Sequence, residues 1–253
     1  MFSMHGNGNT FRHNGTDLSS LENGVWVYGP QGNADDNRYA GIASVVTMPD
    51  GSILGAVHQE NHSNVASIGL VRSTDTGYTW DYLGTVIRGE GLTTGFRGAS
   101  LPSMHLDGNT LRMVYENRYG DGQFQDVRSA TASVSNPTAW TPQGVLFAND
   151  GDPHFYSAGP RLYSTADGWM VTYSTDRALR YRTSSDFRNW SAAETIDDWP
   201  QVWSQGGSGE RRWYGHFLDP SQDVSSVFAS GVYVEHWLDL DSGQRWPRIA
   251  SVN

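Results

Sequence analysis

Residues 73–80, with the sequence S-T-D-T-G-Y-T-W, decide the fold. They fit the pattern S-x-D-x-G-x-T-W at all five fixed positions. In such a stretch the Asp and Ser side chains bond backbone N–H groups of a tight turn, and Gly supplies a positive φ angle. The Trp is then expected to pack back onto the sheet. Because both flanks have the composition of strands, the stretch predicts a hairpin turn in an all-β protein.

The same unit recurs along the chain with a period of about 50 to 60 residues, as in repeat folds. Each unit has an apolar strand, an Asp-Gly turn, two further strands, a turn that ends in Trp and a fourth strand. The Asp-Gly turns lie at 50–51, 107–108 and 167–168, and the turn tryptophans are Trp80, Trp140 and Trp190. Asp-Gly between apolar runs is a strong hairpin signal. Full units are predicted at 41–87, 98–147 and 157–196, and a fourth at 213–252.

This repeat predicts a β-propeller, in which radial sheets surround a central channel. The fourth unit stops before a fourth strand, and residues 24–29 could supply it by pairing with the C-terminal sheet. Such closure removes exposed sheet edges. Residues 9–22 look like a degraded third strand and turn, which indicates a fifth, incomplete unit. We therefore expect a single domain of residues 1–253, with five blades favoured over four or six and no long helix.

The composition narrows the classes of partner. The chain has 253 residues, a net charge of −10 and no cysteine. An acidic chain without a basic run disfavours nucleic acid and anionic membranes as partners. The absence of cysteine excludes a disulfide framework and a cysteine nucleophile. No apolar run is long enough to span a membrane, and the polar, glycine-rich residues 1–9 lack the pattern of a signal peptide. We expect a soluble protein, whose compartment and oligomeric state stay open.

Carboxylates end several of the predicted second strands, where a propeller gathers side chains at one mouth of its channel. Glu60, Glu116 and Glu235 each follow an apolar run at a corresponding position. Glycoside hydrolysis needs two carboxyl groups, one to protonate the leaving oxygen and one to act as base or nucleophile. Burial beside other acids favours the neutral form. We therefore expect at least one of Glu60 and Glu116 to have a raised pKa and to serve as general acid.

Other polar and aromatic side chains of the same loops are candidates for binding. The substrate-binding candidates are Arg38, His58, His62, Arg97, Arg118, His154, Glu235 and His236. The aromatic side chains that could stack on sugar rings are Tyr119, Trp203, Trp213 and Trp237. Each has an ordinary alternative as a solvated loop charge, a turn cap or a packing residue. No cofactor motif is present, and a structural Ca²⁺ held by a histidine and carboxylates in the channel is the ion this composition allows.

Residues 42–80 resemble a sialidase blade from its first strand to the turn known as the Asp box. Sialidases place an arginine before this strand, where the present chain has Gly41. Residues 58–62 (H-Q-E-N-H), 68–73 and 184–190 (S-S-D-F-R-N-W) resemble the arabinanase and β-xylosidase-like glycoside hydrolases. That resemblance implies a five-bladed propeller with an Asp base, a second Asp that tunes pKa and a Glu acid. By position it assigns Asp36 as base, Asp152 as second Asp, and Glu116 or Glu60 as acid.

Three functional hypotheses follow from the sequence. The leading one is hydrolysis of a glycosidic bond in a polysaccharide or oligosaccharide by two carboxylates at the channel mouth. The alternative is a non-catalytic propeller that binds a glycan or a protein, which needs only an aromatic rim. A true exo-sialidase is third, because it needs three arginines that converge on a carboxylate. The sugar, the linkage and the stereochemical outcome are not specified by the sequence.

Overall fold

The computed structural model describes residues 2–4, 8–15, 20, 22–89, 94–120, 125–148, 159–175, 178–198, 210–217, 232–239 and 245–251, with side chains described from residue 8 to residue 198 of these ranges. Within them the chain forms eighteen β-strands and no α-helix. The described part of the chain therefore contains no helix of the length and apolar character needed to cross a membrane.

The described strands form five groups of consecutive hydrogen-bonded neighbours. The first group is β1 (Phe2–Met4), β2 (Thr10–Arg12) and β3 (Val25–Tyr28). The second is β4 (Tyr39–Thr47), β5 (Ile53–Glu60), β6 (Val65–Ser73) and β7 (Asp81–Arg88). The third is β8 (Arg97–Asp107), β9 (Thr110–Arg118), β10 (Gln125–Ser133) and β11 (Asn136–Ala148). The fourth is β12 (Arg161–Thr165), β13 (Gly168–Ser174), β14 (Ala178–Ser184) and β15 (Glu194–Asp198), and the fifth is β16 (Glu210–Phe217), β17 (Val232–Asp239) and β18 (Arg245–Ser251).

The strand bounds confirm the repeat predicted from the Asp-Gly turns. Gly51 adopts φ +83° between β4 and β5, Gly108 φ +55° between β8 and β9, and Gly168 φ +134° as the first residue of β13. The units predicted at 41–87, 98–147, 157–196 and 213–252 match the second to fifth groups to within a few residues. Turn chemistry that acts over a few residues was therefore enough to place most strands.

The turn at 73–80 forms the hydrogen bonds that its sequence predicts. Asp75 Oδ1 accepts bonds from the backbone N–H groups of Tyr78 and Thr79, each at 3.0 Å. Ser73 Oγ accepts one from Gly77 N–H at 2.8 Å, and Gly77 has φ +90°. The Trp80 ring packs on the apolar side of the sheet. This turn joins β6 to β7, the third and fourth strands of its group, as expected.

The turn at 184–190 reproduces this geometry with one residue fewer. Asp186 Oδ1 accepts the N–H groups of Arg188 at 2.9 Å and Asn189 at 2.8 Å. Phe187 takes the positive φ, at +62°. In the third group the pattern fails, because β10 and β11 are joined by a two-residue turn at 134–135 and Trp140 lies inside β11. The assignment of Trp140 as a turn residue is therefore wrong, and its segment has no Asp to hold the longer turn.

The chain divides into two compact units, one of Met1–Met113, Asn117–Gln123 and Ala130–Gln143, the other of Val114–Glu116, Phe124–Ser129 and Gly144–Asn253. A core of the first is formed by Tyr28, Ala40, Ile42, Val57 and Val71, with Val45, Trp80 and Tyr82 packed against it. A core of the second is formed by Val114, Val127, Phe147, Leu162, Val171, Tyr173 and Phe187, with Leu146, Trp169, Trp190 and Ala193 packed against it. A single domain of residues 1–253 stays a prediction.

The N-terminal strand β3 has a different partner from the one expected. It pairs with β2, in the register Phe11↔Trp26 and Arg12↔Val25. Strand β3 therefore belongs to a group of its own with β1 and β2, which agrees with the incomplete unit seen in the sequence. Closure of a ring through the C-terminal strands, and the number of blades, stay predictions.

Candidate functional site

His58 and Glu60 form a hydrogen-bonded pair at the end of β5. The register Tyr39↔Glu60 and Gly41↔His58 places them opposite the start of β4. His58 Nε2 lies 2.9 Å from Glu60 Oε1, and the Leu101 N–H donates to His58 Nδ1 at 3.3 Å. Since Nδ1 accepts a bond, the proton of the neutral imidazole lies on Nε2 and is donated to Glu60. The imidazole is therefore held from both sides, with the Tyr39 ring edge-on at 5.3 Å.

Glu60 is ionised more readily than an ordinary glutamate. Burial raises its pKa, but the hydrogen bond from His58 and the positive charges of Arg38 and Arg118 outweigh burial, so the pKa of Glu60 lies below its usual value. Arg38 Nε is 3.9 Å from Glu60 Oε2, and the Glu60 side chain is 15% exposed. A general acid must hold a proton near the working pH. The expectation was a raised pKa for at least one of Glu60 and Glu116. Glu60 does not meet it, because His58, two residues earlier on β5, donates to its carboxylate and Arg38, just before β4, supplies positive charge.

Leu101, the residue that donates to His58, has an unusual backbone. Its φ is +48°, and it precedes Pro102 within β8. A positive φ in a bulky residue is costly and persists only where the surroundings impose it, most often at functional sites. No motif in the sequence indicates this conformation.

The turn between β5 and β6, residues 61–64, is braced by hydrogen bonds and is contacted by two of the predicted arginines. Asn61 Oδ1 accepts the N–H groups of Ser63 and Val65, each at 3.0 Å. Arg38 Nη1 donates to Asn64 Oδ1. Arg97 donates to Ser63 O at 3.4 Å and to Gly95 O at 2.7 Å. Both guanidinium groups therefore reach the exposed pair of residues 63–64.

The approach of β8 to β6 brings Arg97 to this turn. The two strands pair in parallel at Val65↔Arg97 and Ala66↔Gly98. Gly98 has φ +115°, and a Cβ on it would lie 2.0 Å from Ala66 O. Only glycine fits at this crossing. The other predicted binding residues near the turn are His62, which is exposed, and Arg118, whose guanidinium lies 5.0 Å from the Phe96 ring centroid.

Asp36, the base implied by resemblance, is completely buried. Its Oδ1 accepts the Asn33 N–H at 2.9 Å, which closes a short turn before β4. Asp36 Oδ2, Asn33 Nδ2 and the Tyr28 hydroxyl are buried with no hydrogen-bond partner in the structure. Burial, then the nearby Asp36 charge, raises the pKa of Tyr28 well above its usual value. Tyr28 and Asn33 had not been identified from the sequence, because neither belongs to a motif.

Asp35 anchors the same loop to the fourth strand of its group. Its Oδ2 accepts Thr85 Oγ1 at 2.7 Å and Arg88 Nη2 at 2.6 Å. Tyr82 OH lies 2.9 Å from Thr85 Oγ1 and accepts Gln59 Nε2 at 3.0 Å. These bonds join β5, β7 and the loop that carries Asp36, so they fix the backbone on which that carboxylate sits.

Glu116 lies in the second compact unit and is completely buried. Its Oε2 accepts the Gly159 N–H at 3.3 Å. It stands two residues before the end of β9, whereas Glu60 is the last residue of β5. The predicted correspondence of the two glutamates is therefore approximate.

The remaining candidates are only partly covered by the structure. Asp152, His154 and Trp203 lie outside the described residues. Glu235, His236 and Trp237 lie on β17, and Trp213 lies on β16, where the backbone alone is described. Among the side chains that are described, no group of three or more His, Asp or Glu could hold a metal ion. The Ca²⁺ stays a prediction from the sequence.

No protein-family model matches the chain, and no curated protein matches it in sequence. Solved structures do match. The catalytic domain of the Coprinopsis cinerea GH62 α-L-arabinofuranosidase gives a TM-score of 0.65 at 14% identity, over 98% of this chain and 83% of that one. The endo-arabinase from Bacteroides thetaiotaomicron gives 0.62 at 12% identity, over 98% and 87%. The Penicillium chrysogenum α-L-arabinanase complexed with arabinobiose gives 0.60 at 15% identity, over 88% and 66%.

The extent of these likenesses limits what they establish. The chain spans 66% of the Penicillium arabinanase and 64% of the Fusarium graminearum α-L-arabinofuranosidase. Fold similarity at such identities does not transfer an activity. What the comparisons establish is the fold, and this chain has the all-β propeller fold of these glycoside hydrolases.

Proposed function

We propose that this protein hydrolyses glycosidic bonds of an oligosaccharide or polysaccharide. The observation that carries the proposal is the Glu60 carboxylate, kept ionised by His58 and Arg38 at the end of β5. An ionised carboxylate beside the sugar stabilises the positive charge of an oxocarbenium-like transition state, or acts as base or nucleophile. The propeller fold, shared with arabinan-degrading enzymes, supports the same reaction class.

The general acid that protonates the leaving oxygen must then be a residue other than Glu60. Because the pKa of Glu60 is lowered, the proton for the leaving oxygen is assigned to Glu116, the other acid implied by resemblance. Asp36 is retained as the candidate base, since its Oδ2 has no partner in the structure and can accept a proton. Arabinose-containing glycans are the first substrates to test, because the Penicillium enzyme was solved with arabinobiose. Within this proposal, the turns at 73–80 and 184–190 are Asp boxes that serve the scaffold.

The test compares Glu60→Gln and Glu116→Gln on natural glycans and on aryl glycosides with good leaving groups. Loss of the acid should cut hydrolysis of natural glycans by about 10² to 10⁴ and cost much less on aryl glycosides, which need little protonation. Glu116→Gln should show that split, whereas Glu60→Gln should lose activity on both substrates alike. Glu194→Gln, an exposed carboxylate of β15, is the control and should retain activity. A split shown by Glu60→Gln alone would reverse the two roles.

A non-catalytic glycan-binding propeller is the second candidate. The specific observation in its favour is that Asp36 and Glu116 both have 0% exposure, so neither meets solvent. A wild-type protein that binds a glycan from a broad panel but releases no reducing ends from any of them would establish this function.

A further inference from the structure

Arg38 lies beside the Glu60 carboxylate, and Arg97 reaches the β5–β6 turn that directly follows it. Arg38 approaches Glu60 at 3.9 Å, and its side chain is 47% exposed. Within the part of the chain that the structure describes, Arg97 donates only to backbone carbonyls, those of Ser63 and Gly95. Arg118 is close enough to act on Glu60 as a second positive charge beside Arg38. This excess is local, since the whole chain carries a net charge of −10.

The two guanidinium groups are held in place by the backbone. Arg38 and Arg97 bond to neighbouring residues of one turn, which Asn61 braces from within. The parallel bridge Val65↔Arg97 fixes the position of the second arginine, and the close approach at Gly98 allows that bridge. Each of these hydrogen bonds uses Nη1, so among the described residues none of them occupies Nη2 of either arginine or Nε of Arg97. Planar, preorganised guanidinium donors match the two oxygens of a carboxylate.

From this placement we infer that the protein recognises an acidic saccharide, whose uronic acid carboxylate is bound by Arg38 and Arg97 at the β5–β6 turn. The inference rests on the proposed function, in that it names the substrate class of the same site. The two arginines would bind the carboxylate on one side of the sugar and so orient the sugar next to Glu60. A neutral arabinan would offer these two arginines no carboxylate to bind.

The experiment measures binding of an oligogalacturonate and of its fully methyl-esterified form, in which each carboxylate is replaced by an uncharged methyl ester. Wild type should bind the acid form about 10- to 100-fold more tightly, the range for charge-assisted hydrogen bonds. Arg97→Gln and Arg38→Gln should each remove most of that preference. Arg97→Lys keeps the positive charge but loses the planar, two-donor geometry of the guanidinium group. Its preference for the acid form over the ester should therefore lie between those of wild type and Arg97→Gln. Arg188→Gln is the matched control, because Arg188 is exposed on the 184–190 turn, and it should bind like wild type.

The outcomes separate this inference from the proposed function. Equal binding of the two forms by wild type, or an unchanged preference in both glutamine variants, would overturn the acidic-saccharide site. Tighter binding of a sulfated neutral oligosaccharide than of the uronate would also overturn it and assign the anion as a sulfate ester. Hydrolysis is scored separately on both forms. If the protein hydrolyses neutral glycans and binds the acid and ester forms equally, the proposed function stands and the acidic-saccharide inference is overturned. If it prefers the acid form but hydrolyses neither form, the inference stands and the proposed function is overturned.

Discussion

Two aspartates hold the long turns of this protein, and their ionisation couples the turns to pH. The backbone N–H of Thr79 lowers the pKa of Asp75 most, and that of Asn189 lowers the pKa of Asp186 most. In both turns the ionised carboxylate accepts bonds from two backbone N–H groups, so the folded state favours the charged form. The pair of turns is therefore stabilised by charge although neither carboxylate is buried.

The pH dependence of stability should follow from these two residues. A folded-state pKa below the unfolded value gives stability that is complete above the unfolded pKa, about 4. That stability is lost as pH falls through the folded pKa. We expect Asp75→Asn and Asp186→Asn to melt at lower temperature at pH 7 and to lose less than wild type between pH 4 and pH 2. Thermal melts across this range test it, and parallel curves for wild type and variants would contradict it.

His58 should control the ionisation of Glu60. Burial raises the pKa of Glu60, and the His58 hydrogen bond is the largest of the opposing effects. Replacing His58 with Phe should therefore raise the pKa of Glu60, as measured by carbon-13 NMR titration of its side-chain carboxyl group. Arg38→Gln should move the same pKa upward by less. A Glu60 titration that is unchanged in His58→Phe would show that another group keeps the carboxylate ionised.

Among the strands, the crossing of β6 and β8 depends on one glycine. Gly98 and Gly108 both have positive φ, but only Gly98 lies against backbone, while a Cβ on Gly108 would meet nothing within 4 Å. Gly108→Ala should cost about 1–2 kcal/mol of unfolding free energy, for the left-handed backbone alone. Gly98→Ala should cost about 1–3 kcal/mol more, for the overpacking. Denaturant unfolding measures the loss of unfolding free energy in both variants. Equal losses would mean that β6 and β8 can move apart enough to accept a Cβ at residue 98.

The strands were predictable from the sequence because their signals are local. The Asp-Gly turns and the side-chain hydrogen bonds of Ser73 and Asp75 involve only neighbouring residues, so they can be predicted without knowing the rest of the fold. The pKa of Glu60 was not predictable in the same way. Its direction depends on the register Tyr39↔Glu60, which brings Arg38, the residue before β4, next to Glu60, and on a proton that His58 donates. The partner of β3 was equally hidden, since a four-residue strand pairs as well with one neighbour as with another.

For the molecule as a whole, the N-terminal strands should be required for stability. Thr10 Oγ1 accepts the buried Ile42 N–H at 2.8 Å, and Tyr28 is part of the core of the first unit. Arg12 donates to Thr76 O at 3.1 Å and lies 4.0 Å from the Tyr78 ring centroid. Deletion of residues 1–30 should therefore lower the unfolding free energy by at least about 3–5 kcal/mol, the loss for removing one large aromatic residue from a core. Calorimetry tests this, and an unchanged melting temperature would contradict it.

The two turn tryptophans give each compact unit its own spectroscopic probe. Trp80 belongs to the first unit and Trp190 to the second, and each indole packs on the core of its own unit. Fluorine-labelled tryptophan would give each ring a separate resonance, assigned by replacing one Trp at a time with Phe. Followed through a denaturant titration, the two signals report the melting of each half of the chain. Coincident curves would make the whole chain one cooperative folding unit, and staggered curves would give the order in which its halves unravel.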